Sequence, residues 1–324
     1  MSRSVLRRRA LAQVLACAWL ASSTLHASAQ QTVRVVVPFA AGSSTDQLAR
    51  QLTDALREIN GSTYVIENKP GASGIIGSSD VHKSKPDGSA LLMTTGGHAT
   101  NAVLYEKLPY DPQAGFTPIS QLTETAGFLL MVPAASSYKT LDDLIAAAKA
   151  KPGTISYASA GNGNTTHLVG ALFEKAAGIK LIHVPYKATP MNDLMAGHVD
   201  MLFWGSGFAT PIIQQGKARA LALAGDKRVE ELPDVPTLNE KGLRGVDVPA
   251  WSGLFGPPGM PPETAEKIQR EVARAMQSPA FIKSLSASPG TTRLASTPSQ
   301  FRESLSKEIV RLRRDITPLG IRME

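Results

Sequence analysis

The chain has 324 residues, with 34 Lys and Arg against 27 Asp and Glu and a formal net charge of +7. Two domains are the expectation at this length. With 43% hydrophobic and 19% charged residues, enough apolar side chain is present to offset ordering entropy, which excludes disorder, collagen-like and low-complexity classes. The single cysteine, Cys17, excludes disulfides, thiolate metal sites and cysteine nucleophiles.

The first residues read as an export leader. Arg3, Arg7, Arg8 and Arg9 form a basic start, Ala10 to Leu20 is apolar, and small residues follow up to Ala27-Ser28-Ala29. That order is a secretory signal peptide over residues 1–29, cleaved after Ala29. Its apolar core is too short to span a bilayer. Arg8-Arg9 leaves general and twin-arginine export both open. Removing the leader leaves 30 basic against 27 acidic residues and no cysteine. The residual charge is too small to argue for nucleic acid. A soluble periplasmic protein is the expectation.

Strands and helices then alternate. Val33–Pro38 is a β-branched run that reads as a buried strand. Leu48, Leu52, Ala55, Leu56 and Ile59 fall on one face of a helix, which Asn60-Gly61 stops. Tyr64–Glu67 and Ala90–Thr94 are the next strands. Near residue 130 a second series begins. It has strands at Leu129–Val132, Ile155–Ser159, Leu181–Val184, Val199–Trp204 and Ala218–Ala224. Its helices are Thr140–Lys151, Thr165–Ala177, Met191–Ala196 and Pro211–Gln215. Such alternation predicts largely parallel sheets in two similar α/β lobes. Leu232–Leu238 is irregular, and prolines at 249, 257, 258, 261 and 262 make Trp251–Gly259 read as a crossover. Helices at Pro262–Met276 and Pro298–Arg313 are expected to return to the first lobe. The division is 30–129 with 251–324 for lobe one, and 130–250 for lobe two.

Two loops share a design. Ala41-Gly42-Ser43-Ser44-Thr45 and Ser159-Ala160-Gly161-Asn162-Gly163-Asn164-Thr165-Thr166 are each rich in glycine and hydroxyls, follow a strand and open a helix. A helix N-terminus carries unpaired N–H groups and the positive end of the dipole, so it binds anions without a formal cation. The plainer reading is a pair of turns with capping side chains. Gly71, Gly74 and Gly77 form a third glycine run, read as a tight turn. No P-loop or complete G-x-G-x-x-G occurs. No G-x-S-x-G is present, and Ser159 with His167 lacks an evident orienting acid. His82, His98, His167, His183 and His198 show no metal-binding spacing. No catalytic residue, metal or cofactor is therefore expected. Asp193 reads as first-turn dipole complement or a polar cleft contact, and Trp204 as core or pocket wall.

These loops carry a resemblance. Pro38-Phe39-Ala40-Ala41-Gly42-Ser43-Ser44-Thr45-Asp46 resembles the first signature of the Bug proteins, the extracytoplasmic solute receptors of tripartite tricarboxylate transporters. Glu67-Asn68-Lys69-Pro70-Gly71-Ala72, Pro86-Asp87-Gly88, Leu108-Pro109-Tyr110-Asp111-Pro112, Ser159 to Leu168 and His183-Val184-Pro185-Tyr186-Lys187 agree in order. So do Gly216–Ala222 and Leu232–Thr237. The resemblance implies a two-lobed, type II-like periplasmic-binding-protein (flytrap) fold that closes on a small carboxylate. It carries over the ligand contacts Phe39, Gly42, Ser43, Ser44, Thr45, Ala160, Gly161, Asn162, Gly163, Asn164, Thr165 and Thr166, and equates Asp193 with the family's cleft aspartate. It implies a monomer serving membrane transporter subunits; a sensor without a dedicated transporter, or an exported hydrolase, are the other readings. Ala188 stands where the family often has glycine. Trp204-Gly205-Ser206-Gly207 replaces a segment with a smaller polar start, which favours an aromatic or bulky apolar acid, with a dicarboxylate, tricarboxylate or amino acid as the alternatives.

Overall fold

The computed structural model describes residues 32–248, 250–286 and 290–320. The leader expected over 1–29, and Pro249, lie outside the described residues. In chain order the elements are β1 (Thr32–Val37), α1 (Ser44–Asn60), β2 (Thr63–Asn68), α2 (Ile75–His82), β3 (Ala90–Thr95), α3 (Gly97–Leu104), β4 (Thr117–Thr125) and β5 (Phe128–Pro133). Then come α4 (Leu141–Ala150), β6 (Ser156–Ser159), α5 (Thr165–Ala177), β7 (Ile182–Pro185), α6 (Met191–Ala196), β8 (Met201–Gly205), α7 (Ser206–Gln214) and β9 (Ala218–Ala224). The last are β10 (Ala250–Gly256), α8 (Pro262–Ala275), α9 (Pro279–Leu285), β11 (Thr291–Arg293) and α10 (Pro298–Ile316).

The strands form two sheets, ordered β11-β4-β10-β3-β1-β2 and β7-β6-β8-β5-β9. In the first, β1 pairs in parallel with β2 and β3, and β10 runs antiparallel between β3 and β4. The second repeats the plan. There β6 pairs in parallel with β7 and β8, and β5 runs antiparallel between β8 and β9. Each antiparallel strand follows directly on a crossing from the other lobe, so the two lobes share their connections. Four of the six residues of β1 are valines, all buried, because a central parallel strand is covered on both faces.

Helix ends follow local chemistry. α1 starts at the Ser43 cap and stops at left-handed Gly61. α4 and α10 open with reciprocal caps from Thr140 with Asp143 and Thr297 with Gln300. The C-terminal helices return to the first lobe, α8 against α1 and α10 against α3 and β4. One apolar cluster is continuous between the lobes, running from Leu92 and Phe255 through Phe128 to Phe203.

The segment read as a crossover is different in detail. Residues 250–256 are the strand β10, with Trp251, Leu254 and Phe255 buried; the prolines at 257, 258, 261 and 262 come only after the strand has ended. The two crossings touch through glycine. A Cβ at Gly127 would stand 2.1 Å from the Ala224 carbonyl oxygen, and one at Gly225 2.0 Å from that of Ala126.

Candidate functional site

The first loop leaves β1 at Pro38 and enters α1. The Ser43 hydroxyl accepts from the Asp46 amide at 3.3 Å, and the Ser43 amide donates to the Ala40 carbonyl at 3.1 Å. Gly42, at φ 79°, donates its amide to the Asp46 carboxylate at 2.8 Å. That carboxylate is buried and also accepts from Asn68 Nδ2 at 2.9 Å and from Arg50 Nε at 3.0 Å. Burial opposes its charge, but Arg50, the Gly42 amide and Asn68 outweigh burial and hold the carboxyl below its usual range. The amides of Ala41, Ser44 and Thr45 find no acceptor among the described residues. Phe39 packs half-buried on the first lobe's core, and its carbonyl accepts from Asn68.

The second loop leaves β6 and enters α5. Asn164 caps the helix, accepting from the Thr166 amide at 3.0 Å. Thr166 Oγ1 accepts from the Ala160 amide at 2.9 Å, Ser159 Oγ from Gly161 at 3.2 Å, and His167 Nδ1 from Gly163 at 3.1 Å. The amides of Asn162 and Thr165 have no acceptor among the described residues, and the Thr165 hydroxyl is buried without a partner. Capping thus consumes part of each loop's donors and leaves others free, since a cap satisfies only some of the first four N–H groups.

A third loop joins the other two. The run Gly71, Gly74 and Gly77 forms one turn of 3-10 helix over Ala72–Gly74 and then α2. It packs beneath Pro38, whose Cβ would lie 3.3 Å from a Cβ at Gly74 and 2.9 Å from one at Gly77. Ala72 and Ser73 hold left-handed φ values of 45° and 53°, a conformation costly for side chains with a Cβ. Asn101 Nδ2 donates to the Ser73 carbonyl at 3.1 Å and the Tyr105 hydroxyl to Ser73 Oγ at 3.2 Å. Ser73 Oγ in turn donates to the Asn162 carbonyl, a direct bond between lobes. A Cβ at Gly163 would stand 3.3 Å from both Ser73 Oγ and the Tyr105 ring. Sequence reasoning missed Ser73, Asn101 and Tyr105; the glycine spacing was the only local signal. Surface cavities of about 350 Å³ beside Tyr105 and Arg313, and about 550 Å³ beside Lys69 and Lys83, take no residue from either helix-opening loop.

Residues 48–317 match the family model described as tripartite tricarboxylate transporter family receptor. The chain belongs to that receptor family. Three solved structures superpose on most of it. The periplasmic binding protein BugD is 31% identical, covers 90% of this chain and 99% of its own, and has a TM-score of 0.84. MatC from Rhodopseudomonas palustris, solved with bound malate, is 32% identical over 87% of this chain and 98% of its own, with a TM-score of 0.80. R. palustris Rpa4515, solved with adipate, is 31% identical over 89% and 97%, with a TM-score of 0.82. The two-lobed periplasmic-binding-protein fold, which the sequence resemblance implied, is thereby shared with them.

In this transporter-family receptor, Asp193 sits in the first turn of α6 and is not isolated. The Tyr186 hydroxyl donates to its Oδ2 at 2.7 Å, and His198 Nδ1 lies 3.5 Å from Oδ1. The Tyr186 bond, helped by His198, keeps this carboxyl below its usual range. Trp204, the penultimate residue of β8, is half-buried and packs, as do Val184, Tyr186 and Ile212, against the second lobe's core. Ser159 is fully buried and meets His183 Nε2 at 2.6 Å; its contact is not with His167. Among the described residues no helix is long and apolar enough to cross a membrane.

Proposed function

We propose that this receptor works in the periplasm, where its two lobes capture a small organic carboxylate and present it to the membrane subunits of a tripartite tricarboxylate-type transporter. The lobes are 30–129 with 251–324, and 130–250, and they close about the crossings at Gly127 and Gly225. Residues Phe39, Gly42–Thr45 and Ala160–Thr166 form the ligand site, with Asp193 and Trp204 on its second-lobe side. The observation that carries this reading is a set of donors without partners among the described residues: the amides of Ala41, Ser44 and Thr45 in one lobe, and those of Asn162 and Thr165 with the Thr165 hydroxyl in the other. Neither loop contains Lys or Arg, so backbone dipoles hold the anion. Hydrogen bonds to a charged group contribute about 1.5–3 kcal/mol each, and micromolar affinity needs about 8.2 kcal/mol. A few such bonds, offset by the ordering costs of closure, reach that range. The role is binding without turnover, because the serine–histidine contact near the site, Ser159 with His183, has no orienting carboxylate among the described residues.

Because two similar structures hold malate and adipate, aliphatic dicarboxylates are the first ligands to test. A thermal-shift series would compare malate and adipate with malamide and adipamide. A ligand at 100 times its dissociation constant adds about 2.7 kcal/mol, a rise of about 5–10 °C for a protein of this size. Shifts from an acid but not its amide are expected. Equal shifts from acid and amide would remove the anion-loop mechanism.

A further inference from the structure

The second loop rests on a column of aromatic rings, with Tyr157 buried and the two histidines half-buried. His167 lies in the first turn of α5 and stacks on His183 of β7, with centroids 3.9 Å apart and planes 5° apart. His183 stacks in turn on Tyr157 of β6 at 4.9 Å. Two hydrogen-bond routes run from this column to the loop. Gly163 donates its amide to His167 Nδ1. His183 Nε2 meets Ser159 Oγ, which accepts from the Gly161 amide and reaches the Gly161 carbonyl at 3.1 Å. One proton assignment satisfies every contact: His183 Nε2–H donates to Ser159, Ser159 donates to Gly161, and His167 keeps Nδ1 bare and carries its proton on Nε2.

We infer that His167 is a positioning residue for the carboxylate loop: its neutral ring holds the Gly163 amide in place, and its protonation releases the loop and weakens ligand capture. A proton on Nδ1 converts the acceptor into a donor facing another donor, so that hydrogen bond cannot persist. Gly163 follows Asn162, whose carbonyl Ser73 binds, and a Cβ on it would stand 3.3 Å from Ser73 Oγ and the Tyr105 ring, so its release also disturbs the contact between lobes. The titratable groups packed on the ring are His183 and Tyr157. Glu174, farther along α5, is engaged by the Leu181 amide at 2.7 Å, and Tyr105 faces the loop from the first lobe. No carboxylate pairs with His167 among the described residues. Burial lowers its pKa, and burial together with the charge on His167 pushes His183 down to about 4. The first proton therefore goes to His167, below the ordinary histidine range, and the hold on Gly163 is lost as pH falls through that point.

This inference rests on the carboxylate-receptor reading, and the test separates the two. In the mature protein without ligand, imidazole nitrogen shifts would follow His167 while amide exchange follows Gly163, from about pH 7.5 to about pH 5. The expected result is a loss of Gly163 protection, roughly tenfold beyond the intrinsic pH effect, that tracks His167 titration. His167→Asn, whose Oδ1 can accept at the Nδ1 position, keeps protection flat with pH; His167→Leu loses it throughout. Adipate affinity is measured in parallel. Wild type weakens relative to His167→Asn by roughly tenfold on acidification, the ligand's own titration being common to both. Wild type and His167→Asn losing protection equally would overturn the inference, as would His167 titrating with Gly163 unmoved. If Gly163 follows His167 but neither adipate nor malate binds at neutral pH, the positioning role stands and the ligand reading falls.

Discussion

Each lobe opens a helix from a glycine loop at the end of a parallel strand, and the two loops are braced by opposite chemistry. In the first, Gly42 donates to a buried, ionised carboxylate that Arg50 and Asn68 hold charged. In the second, Gly163 donates to a neutral imidazole. Both give a glycine amide an acceptor and so fix a loop whose backbone is otherwise free. They differ in what unlocks them. Asp46 takes a proton only below the ordinary carboxylate range, whereas His167 takes one below the ordinary histidine range. The same strand plan therefore carries one loop locked by an ionised carboxylate and one that a proton on an imidazole unlocks.

The largest effect comes from removing the first brace. Asp46→Ala leaves the Gly42 amide and the Asn68 amide group without their buried acceptor and should cost about 2–3 kcal/mol of unfolding free energy at neutral pH. Urea denaturation measures this. The lowered native pKa puts the wild-type contribution above the ordinary value of 3.8 and removes it as pH falls through the native value. The deficit should therefore stay constant from about pH 5 to about pH 8. A deficit that changed within that range would mean the two loops are less distinct than their geometry indicates.

The first lobe has its own group that titrates near neutrality, set away from the loop. Glu308 on α10 accepts from Trp251 Nε1 at 2.6 Å, and its other oxygen is buried without a partner among the described residues. Burial, reinforced by Glu124 and opposed by Trp251 and Arg311, pushes its pKa up to about 7. A raised carboxyl pKa means the native state holds the proton more tightly. The contribution is full below the ordinary value of 4.5 and declines as pH rises to about 7. Glu308→Gln should remove that decline. Measured against wild type, it should gain about 3 kcal/mol on going from about pH 4.5 to about pH 8. Parallel stability curves would show that Glu308 titrates normally.

Legibility differed between these regions for physical reasons. The β-branched run of β1, the face Leu48 to Ile59 and the stops at Gly61 and Gly178 are local signals, and the elements they mark are present. The central strands β4 and β10 carry no such signal. β4 buries Ser120, Gln121 and Thr123 between its neighbours, so its apolar pattern is diluted. β10 contains Gly253 and Gly256, which interrupt its apolar pattern and serve packing. A Cβ at Gly253 would stand 2.4 Å from the Phe301 ring, and one at Gly256 2.2 Å from Met260. The helix-opening loops were readable from glycine and hydroxyl content. The support beneath them was not, because Ser73 with Asn162 and Ser159 with His183 are contacts between distant segments that no periodicity encodes.

The smallest expected effect tests that long-range support. Ser73→Ala deletes the bond to the Asn162 carbonyl and the acceptor for Tyr105, while the Asn101 bond to the Ser73 carbonyl still holds the turn. Ser73→Gly deletes the same contacts and also relieves the left-handed backbone at φ 53°, worth about 1 kcal/mol. The pair separates contact from strain. Ser73→Gly should be the more stable of the two, but both should open the lobes alike, seen as the same increase in an interlobe label distance. Both should weaken adipate binding about fivefold, the equivalent of one hydrogen bond. If neither variant changed the interlobe distance, the Asn162 contact would be incidental to closure. The brace at His167 would then act on the loop's own shape, with no part in joining the lobes.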